Sequence, residues 1–143
     1  MYQNYYTGNI EPEENTIFVF GSNPRGIHGA GSARVARLQF GAIYGVGEGL
    51  QGSAYALPTT DLGIEGKRHG LMPPDEIVGH IKKMYQCAEQ NPDKIFKVAY
   101  RNAPNEVTLC GYSGADLQKM FKAAGPIPEN VWFSEEWAKG GIL

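Results

Sequence analysis

Between Ile17 and Ile43 the chain reads IFVFGSNPRGIHGAGSARVARLQFGAI. Ser22, Asn23, Arg25, His28 and Ser32 crowd hydroxyl, amide, guanidinium and imidazole groups into one short stretch, interleaved with Gly21, Gly26, Gly29 and Gly31. Gly29 and Gly31 permit backbone conformations closed to other residues, so successive N–H groups can turn towards one point and form an anion-binding concavity. A helix is expected to begin at about Ala30, and its free N–H groups and dipole favour negative charge at the same place. Such donors suit a phosphate better than a metal ion. The local alternative is that the glycines only make a tight strand-to-helix turn. Two established phosphate fingerprints are not met: Gly29-x-Gly31 is followed by Arg34 rather than glycine, and no Gly-Lys-Ser/Thr occurs. Neither a standard nicotinamide oxidoreductase nor a nucleoside triphosphatase is supported, and no cofactor is expected.

His28 is the one imidazole inside the loop. It suits acid/base work or a phosphate contact, and equally the holding of the loop through backbone hydrogen bonds. Asp61 follows Pro58-Thr59-Thr60 at an expected strand end, where a carboxylate either grips a ribose hydroxyl, activates a water or caps the turn. Glu48 reads as a solvated loop charge, with a contact to an adenine amine or a ribose as the alternative. His69, in GKRHG, belongs to a solvated patch, and His80 to a packed helix face. Cys87 and Cys110 form no CxxC pair and have no histidine at ligand spacing, so neither a disulfide framework nor a metal site is expected. Cys110 reads as a small packed residue. Tyr2, Tyr5 and Tyr6 suggest packing or a subunit interface, and Trp132 and Trp137 anchors for the last segment.

These groups need a scaffold. Thr16 to Phe20 reads as a strand buried on both faces. Ala30 to Phe40 reads as a helix with Ala33, Val35, Ala36 and Leu38 turned inward. The five glycines between Gly41 and Gly52 make a regular element unexpected there, and the segment reads as a mobile or tightly turned loop. A strand within Ser53 to Pro58 follows, then an exposed excursion over residues 62–73 that could act as a lid. Asp75 is the expected N-cap of a helix whose buried face is Ile77, Ile81, Met84, Tyr85 and Ala88, stopped at Asn91-Pro92. Strands are expected at Ile95 to Tyr100, Thr108 to Cys110 and Asn130 to Phe133. Ser113, with Asp116 three residues on, opens a last helix with Leu117, Met120, Phe121 and Ala124 inward, ended by Gly125-Pro126. This alternation favours a three-layer α/β domain, in which ligands bind beyond the carboxyl ends of strands.

At 143 residues one domain is expected, covering 1–143. A net charge of -2 offers no broad attraction to a nucleic-acid backbone. The polar, acidic start and the lack of any apolar window near the roughly 18 residues of a membrane span point to a cytoplasmic protein with no membrane partner.

The stretches FVFGSNPRGIHGAGSARVA, FGAIYGVGEGLQGSAYALPTTD, GYSGADLQKMF and PENVWFSEEW resemble, in that order, the macrodomain-like proteins common in bacteriophage and bacterial genomes. That family's pattern runs FVFGSN-x-x-G-x-HGAGAA and then FGA-x-x-G-x-G-x-GL-x-G-x-x-YA-[IL]-PT-x-D. The likeness covers most of the chain. It implies a three-layer α/β/α domain with a mixed central sheet that binds ADP-ribose or a related nucleotide, some members removing ADP-ribose from proteins or nucleic acids. By position it puts Asn23 near the distal ribose, Gly29, Ala30 and Gly31 under the diphosphate, and Gly111, Tyr112 and Ser113 over the opposite side. Gly21, Ser22, Arg25, His28, Ser32 and Asp61 complete the expected ligand-binding set, with Asp61 and His28 the catalytic candidates. The chain departs from the family at Cys110-Gly111, where a glycine-cysteine-glycine run is frequent, and at Ser32, where alanine is. Two functions compete. One is a protein that holds an ADP-ribose derivative, such as a cyclic immune signal that a phage gains by sequestering in the host cytoplasm. The other is an ADP-ribosyl hydrolase in which Asp61 or His28 assists water. A third, structural alternative gives the loops only an oligomer interface to shape, and a homo-oligomer is compatible with all three. Gly31→Val is expected to block the phosphate with little effect on folding.

Overall fold

Side chains alternate across a strand, and the run Ile17-Phe18-Val19-Phe20 uses both faces. Ile17 and Val19 join one apolar cluster; Phe18 and Phe20 join a second. The computed structural model describes residues 2–62 and 68–143. In chain order its elements are β1 (Tyr5–Tyr6), β2 (Thr16–Ser22), α1 (Gly31–Gln39), β3 (Gly49–Gln51), β4 (Ala54–Pro58), β5 (Thr60–Leu62), β6 (Arg68–Leu71), α2 (Pro74–Gln90), β7 (Ile95–Val98), α3 (Gly114–Ala123) and β8 (Val131–Ser134), closed by a 3-10 turn at Glu135–Trp137. Six strands form a mixed sheet in the order β1-β8-β7-β2-β4-β3, parallel except for β3 against β4. β5 and β6 form a separate antiparallel pair.

Register explains how the two faces are filled. Phe18 and Phe20 of β2 stand beside Ala54 and Ala56 of β4, while Val19 stands beside Tyr55. Large beside small leaves room on the first face for α1 to approach through Ala33 and Ala36, with Phe40 stacked on Phe18 at 4.5 Å between ring centroids. Ala33, Ala36 and Phe40 share one face of the helix, and Leu38, expected inward, falls on the opposite face at about 100° per residue and is 62% exposed. On the other face α2 buries Ile77, Ile81, Met84, Tyr85 and Ala88, and α3 buries Leu117, Met120 and Phe121, as their spacing predicts. Ser113 caps α3 as expected, accepting from the Asp116 amide at 3.1 Å.

Several expectations are corrected. α2 begins earlier than foreseen: Pro73 is the N-cap, Pro74 takes the first turn where its missing N–H is harmless, and Asp75 lies inside that turn. Thr108 to Cys110 is a turn rather than a strand, flanked by a single bridge between Val107 and Ser113. The Gly41–Gly52 segment does contain a strand, β3, and β1 forms where no strand was expected, parallel to β8. The excursion over 62–73 starts at the end of β5 and contains β6; residues 63–67 and the His69 side chain, and with them the lid expectation, lie outside the described ones. No helix among the described residues is long and apolar enough to cross a membrane.

The tyrosines at the start pack. Tyr6 donates to the Val98 carbonyl at 2.6 Å and Tyr2 to that of Pro128 at 2.8 Å, while Tyr85 ties α2 to Phe121 at 2.6 Å. Burial pushes the Tyr2 phenol up to about 12 and holds Tyr6, Tyr55 and Tyr85 above the ordinary tyrosine range. Because the folded values are raised, this stabilisation is whole below the unfolded value of about 10 and is lost as pH climbs through the folded ones. The melting temperature is therefore expected to fall above pH ~10 in step with tyrosinate absorbance, and to fall less steeply in Tyr85→Phe. A flat profile through that window would contradict these burials.

Candidate functional site

Parallel strands put their carboxyl ends on one edge, and the chain leaves β2 and β7 in opposite directions. From β2 it passes through α1 to β4; from β7 it passes through α3 to β8 on the other side. Two neighbouring strands whose connections diverge leave a crevice between their ends, the usual ligand position in open α/β sheets. A cleft of about 840 Å³ opens there, within the range of small-molecule sites. Its floor includes Gly21 at the end of β2 and Ala99 and Tyr100 just past β7. A side chain at Gly21 would overlap Tyr100, whose hydroxyl lies 2.7 Å from Thr59 Oγ1.

One wall is the start of α1. Ala30, Ser32 and Ala33 line the cleft. Ala30 is the N-cap, in extended conformation, and gives the helix no side-chain cap; no acidic residue occupies the first turn. The first amides of an α-helix have no partner within it, so these donors and the positive end of the dipole open onto the cleft. The facing wall is the turn Thr108–Cys110, with Leu109, 75% exposed, reaching over Gly31. Arg101 supplies a cation and bonds Asn9 at 3.2 Å, while Glu11, Glu106 and Glu136 line other parts. The set combines anion-accepting groups, the amides and Arg101, with carboxylates able to accept from hydroxyl or amine donors.

The glycine loop divides into two jobs. Asn23 closes its own loop, accepting from the Ile27 amide at 3.1 Å and donating to the Ile27 carbonyl at 2.9 Å. His28 is fully buried edge-on to Phe20, with Nε2 3.1 Å from the Val46 carbonyl and Nδ1 unpartnered among the described residues. Gly26 backs onto Gly45 and Val46, and Gly47 onto Asn23 and Pro24, so closely that a side chain at either would strike backbone. These glycines interlock two loops. Of the expected ligand-binding residues, Gly21, Ala30 and Ser32 line the cleft; Ser22, Asn23, His28, Gly29, Gly31, Asp61, Gly111, Tyr112 and Ser113 do not, and Arg25 and Asp61 are exposed. Ser22 is buried, with its hydroxyl 3.3 Å from the Asn23 carbonyl. Tyr112 bonds Met72, and Gly111 turns the chain at φ 95 before the α3 cap. Gly31 sits at φ 59, a conformation that a β-branched residue tolerates badly, so Gly31→Val strains the fold, contrary to expectation.

Compared with family models, curated proteins and solved structures, the chain matches none. Its chemistry must be argued from the cleft. No group of three His, Cys, Asp or Glu able to hold a metal ion occurs among the described residues. Sequence reasoning missed Tyr100, Arg101 and Glu106. Their signal was position: they follow the carboxyl end of β7, where such folds place ligand loops. It also missed the pairing of Glu48, which lies 2.6 Å from His80 on α2 rather than free in solvent.

A pair of substitutions separates packing glycines from a permissive one. Gly47→Ala should cost at least about 1–3 kcal/mol in denaturant unfolding, because backbone must move to admit the methyl. Gly29→Ala, with open space at its Cβ and no positive φ, should change stability by less than about 1 kcal/mol in either direction. Equal effects would refute the division of roles.

Proposed function

We propose that the cleft binds an ADP-ribose-type nucleotide with its pyrophosphate at the amino end of α1, and that the fold is a macrodomain-like three-layer α/β/α domain. The protein holds this ligand rather than cutting it, sequestering a cyclic ADP-ribose-like immune signal in the host cytoplasm as a phage anti-defence protein. The observation that carries the proposal is the uncapped start of α1 opening onto a cleft at the divergence of β2 and β7. Apolar clusters on both faces of the sheet, one holding α1 and the other α2 and α3, support the layered arrangement. So do the sequence stretches shared with the macrodomain-like pattern.

Capture is favoured over hydrolysis by where the catalytic candidates lie. Neither His28 nor Asp61 lines the cleft, and a general base must come within hydrogen-bond reach of the proton it takes. Incubation with free or cyclic ADP-ribose, followed by heat denaturation, should return the nucleotide intact. Parallel incubation with ADP-ribosylated protein should leave the linkage uncut; its turnover would establish the hydrolase instead.

Ala30→Asp tests the anion end with two opposed readouts. Its extended backbone suits an aspartate cap, so the variant should be more stable by about 0.5–2 kcal/mol. The same carboxylate occupies the amides and repels phosphate, so affinity for ADP-ribose in calorimetry should fall at least about tenfold. A stabilised variant with unchanged affinity would exclude the amino end of α1 as the phosphate site.

A further inference from the structure

We infer that Glu48, which is not among the cleft's lining residues, is a positioning residue for the anion end, clasped to α2 and acting through the two interlocked loops. The inference rests on the nucleotide reading above only for what the positioned amides bind. Glu48 stands between Gly47 and Gly49, so the backbone on either side of it has little intrinsic preference. Its carboxylate is fixed from outside: His80 Nδ1 lies 2.6 Å from Oε2 and Lys83 Nζ 3.7 Å from Oε1. Lys83 is mostly exposed and adds little. His80, with 17% of its side chain exposed, makes the tighter contact, and against an acceptor-only carboxylate its ring nitrogen is the donor. Both residues belong to α2, which Ile77, Ile81 and Met84 root in the core, so the clasp ties a glycine-rich loop to a rigid post.

From Glu48 the contacts run inward without a gap. Gly47 rests on Asn23 and Pro24, the Gly45 amide donates to the Gly26 carbonyl at 2.8 Å, and the Val46 carbonyl meets His28 Nε2 at 3.1 Å and Gln51 Nε2 at 3.2 Å. Asn23 and His28 bracket the loop that leads directly into Ala30 and the open amides of α1. Gln51 holds Val46 and β4 pairs with Gly49, and between them the Glu48 clasp adds the tie of the flexible stretch Gly45–Gly49 to α2. Releasing Glu48 therefore loosens residues 23–29 and blurs the direction of the amides, without touching the strands beneath.

The test uses Glu48→Ala, His80→Ala and the double variant, all in the full chain. In ligand-free protein, hydrogen exchange of peptides covering 23–31 and 43–47 should accelerate about tenfold in each single variant, while β2 and β4 peptides stay protected. The double variant should be no worse than either single one, the mark of a shared interaction. Affinity for ADP-ribose should fall while affinity for adenosine, which lacks phosphate, stays constant; general destabilisation would lower both. Unchanged exchange at 23–31 in Glu48→Ala, additive effects of the two substitutions, or equal losses for the two ligands would each overturn the inference. If the wild-type chain binds no ADP-ribose and the exchange still responds as described, the coupling is upheld and the nucleotide reading fails.

Discussion

Strand β2 is held from both sides at once, and the remainder of the molecule is arranged around that fact. Its register with β4 and β7 commits Ile17 and Val19 to one face and Phe18 and Phe20 to the other. A one-residue slip would exchange the faces and place phenylalanine where α2 and α3 pack. In the order β8-β7-β2-β4 the carboxyl ends of β2 and β7 lie side by side while their connections run to opposite sides, so the cleft follows from strand order.

Much of this was legible because periodicity is a local signal. Ile77, Ile81, Met84, Tyr85 and Ala88 announce α2, and Leu117, Met120 and Phe121 announce α3. Short strands carry no such signal. Tyr5–Tyr6 becomes β1 only because β8 offers a free edge, and Gly49–Gln51 becomes β3 only because Ala54–Pro58 lies beside it. Leu38 is a different case: Ala33, Ala36 and Phe40 define the inward stripe of α1, and two residues from either Ala36 or Phe40 a helix turns to its far side.

The site divides along the same line. That a glycine-rich loop at the end of β2 leads into an exposed helix start could be read from order alone, and Gly21, Ala30 and Ser32 do face the cleft. Which side chains the loop keeps for itself could not. Asn23 is satisfied by Ile27, and the Nε2 of His28 is engaged by Val46 while its Nδ1 has no partner among the described residues; Val46 comes from a separate glycine loop. Polar residue types that advertise ligand binding are the same types needed to close a loop, and only tertiary contacts decide between the two uses.

The pairing of β2 with β7 also orders events in time. β7 is synthesised after α1, β4 and α2, so a chain growing from its amino end carries Phe18, Phe20 and their neighbours on a strand with one edge unpaired until Ile95–Val98 emerges. Contacts so remote in sequence slow the search for the native state. During synthesis, that waiting edge is where a nascent chain of this kind most needs protection from its neighbours.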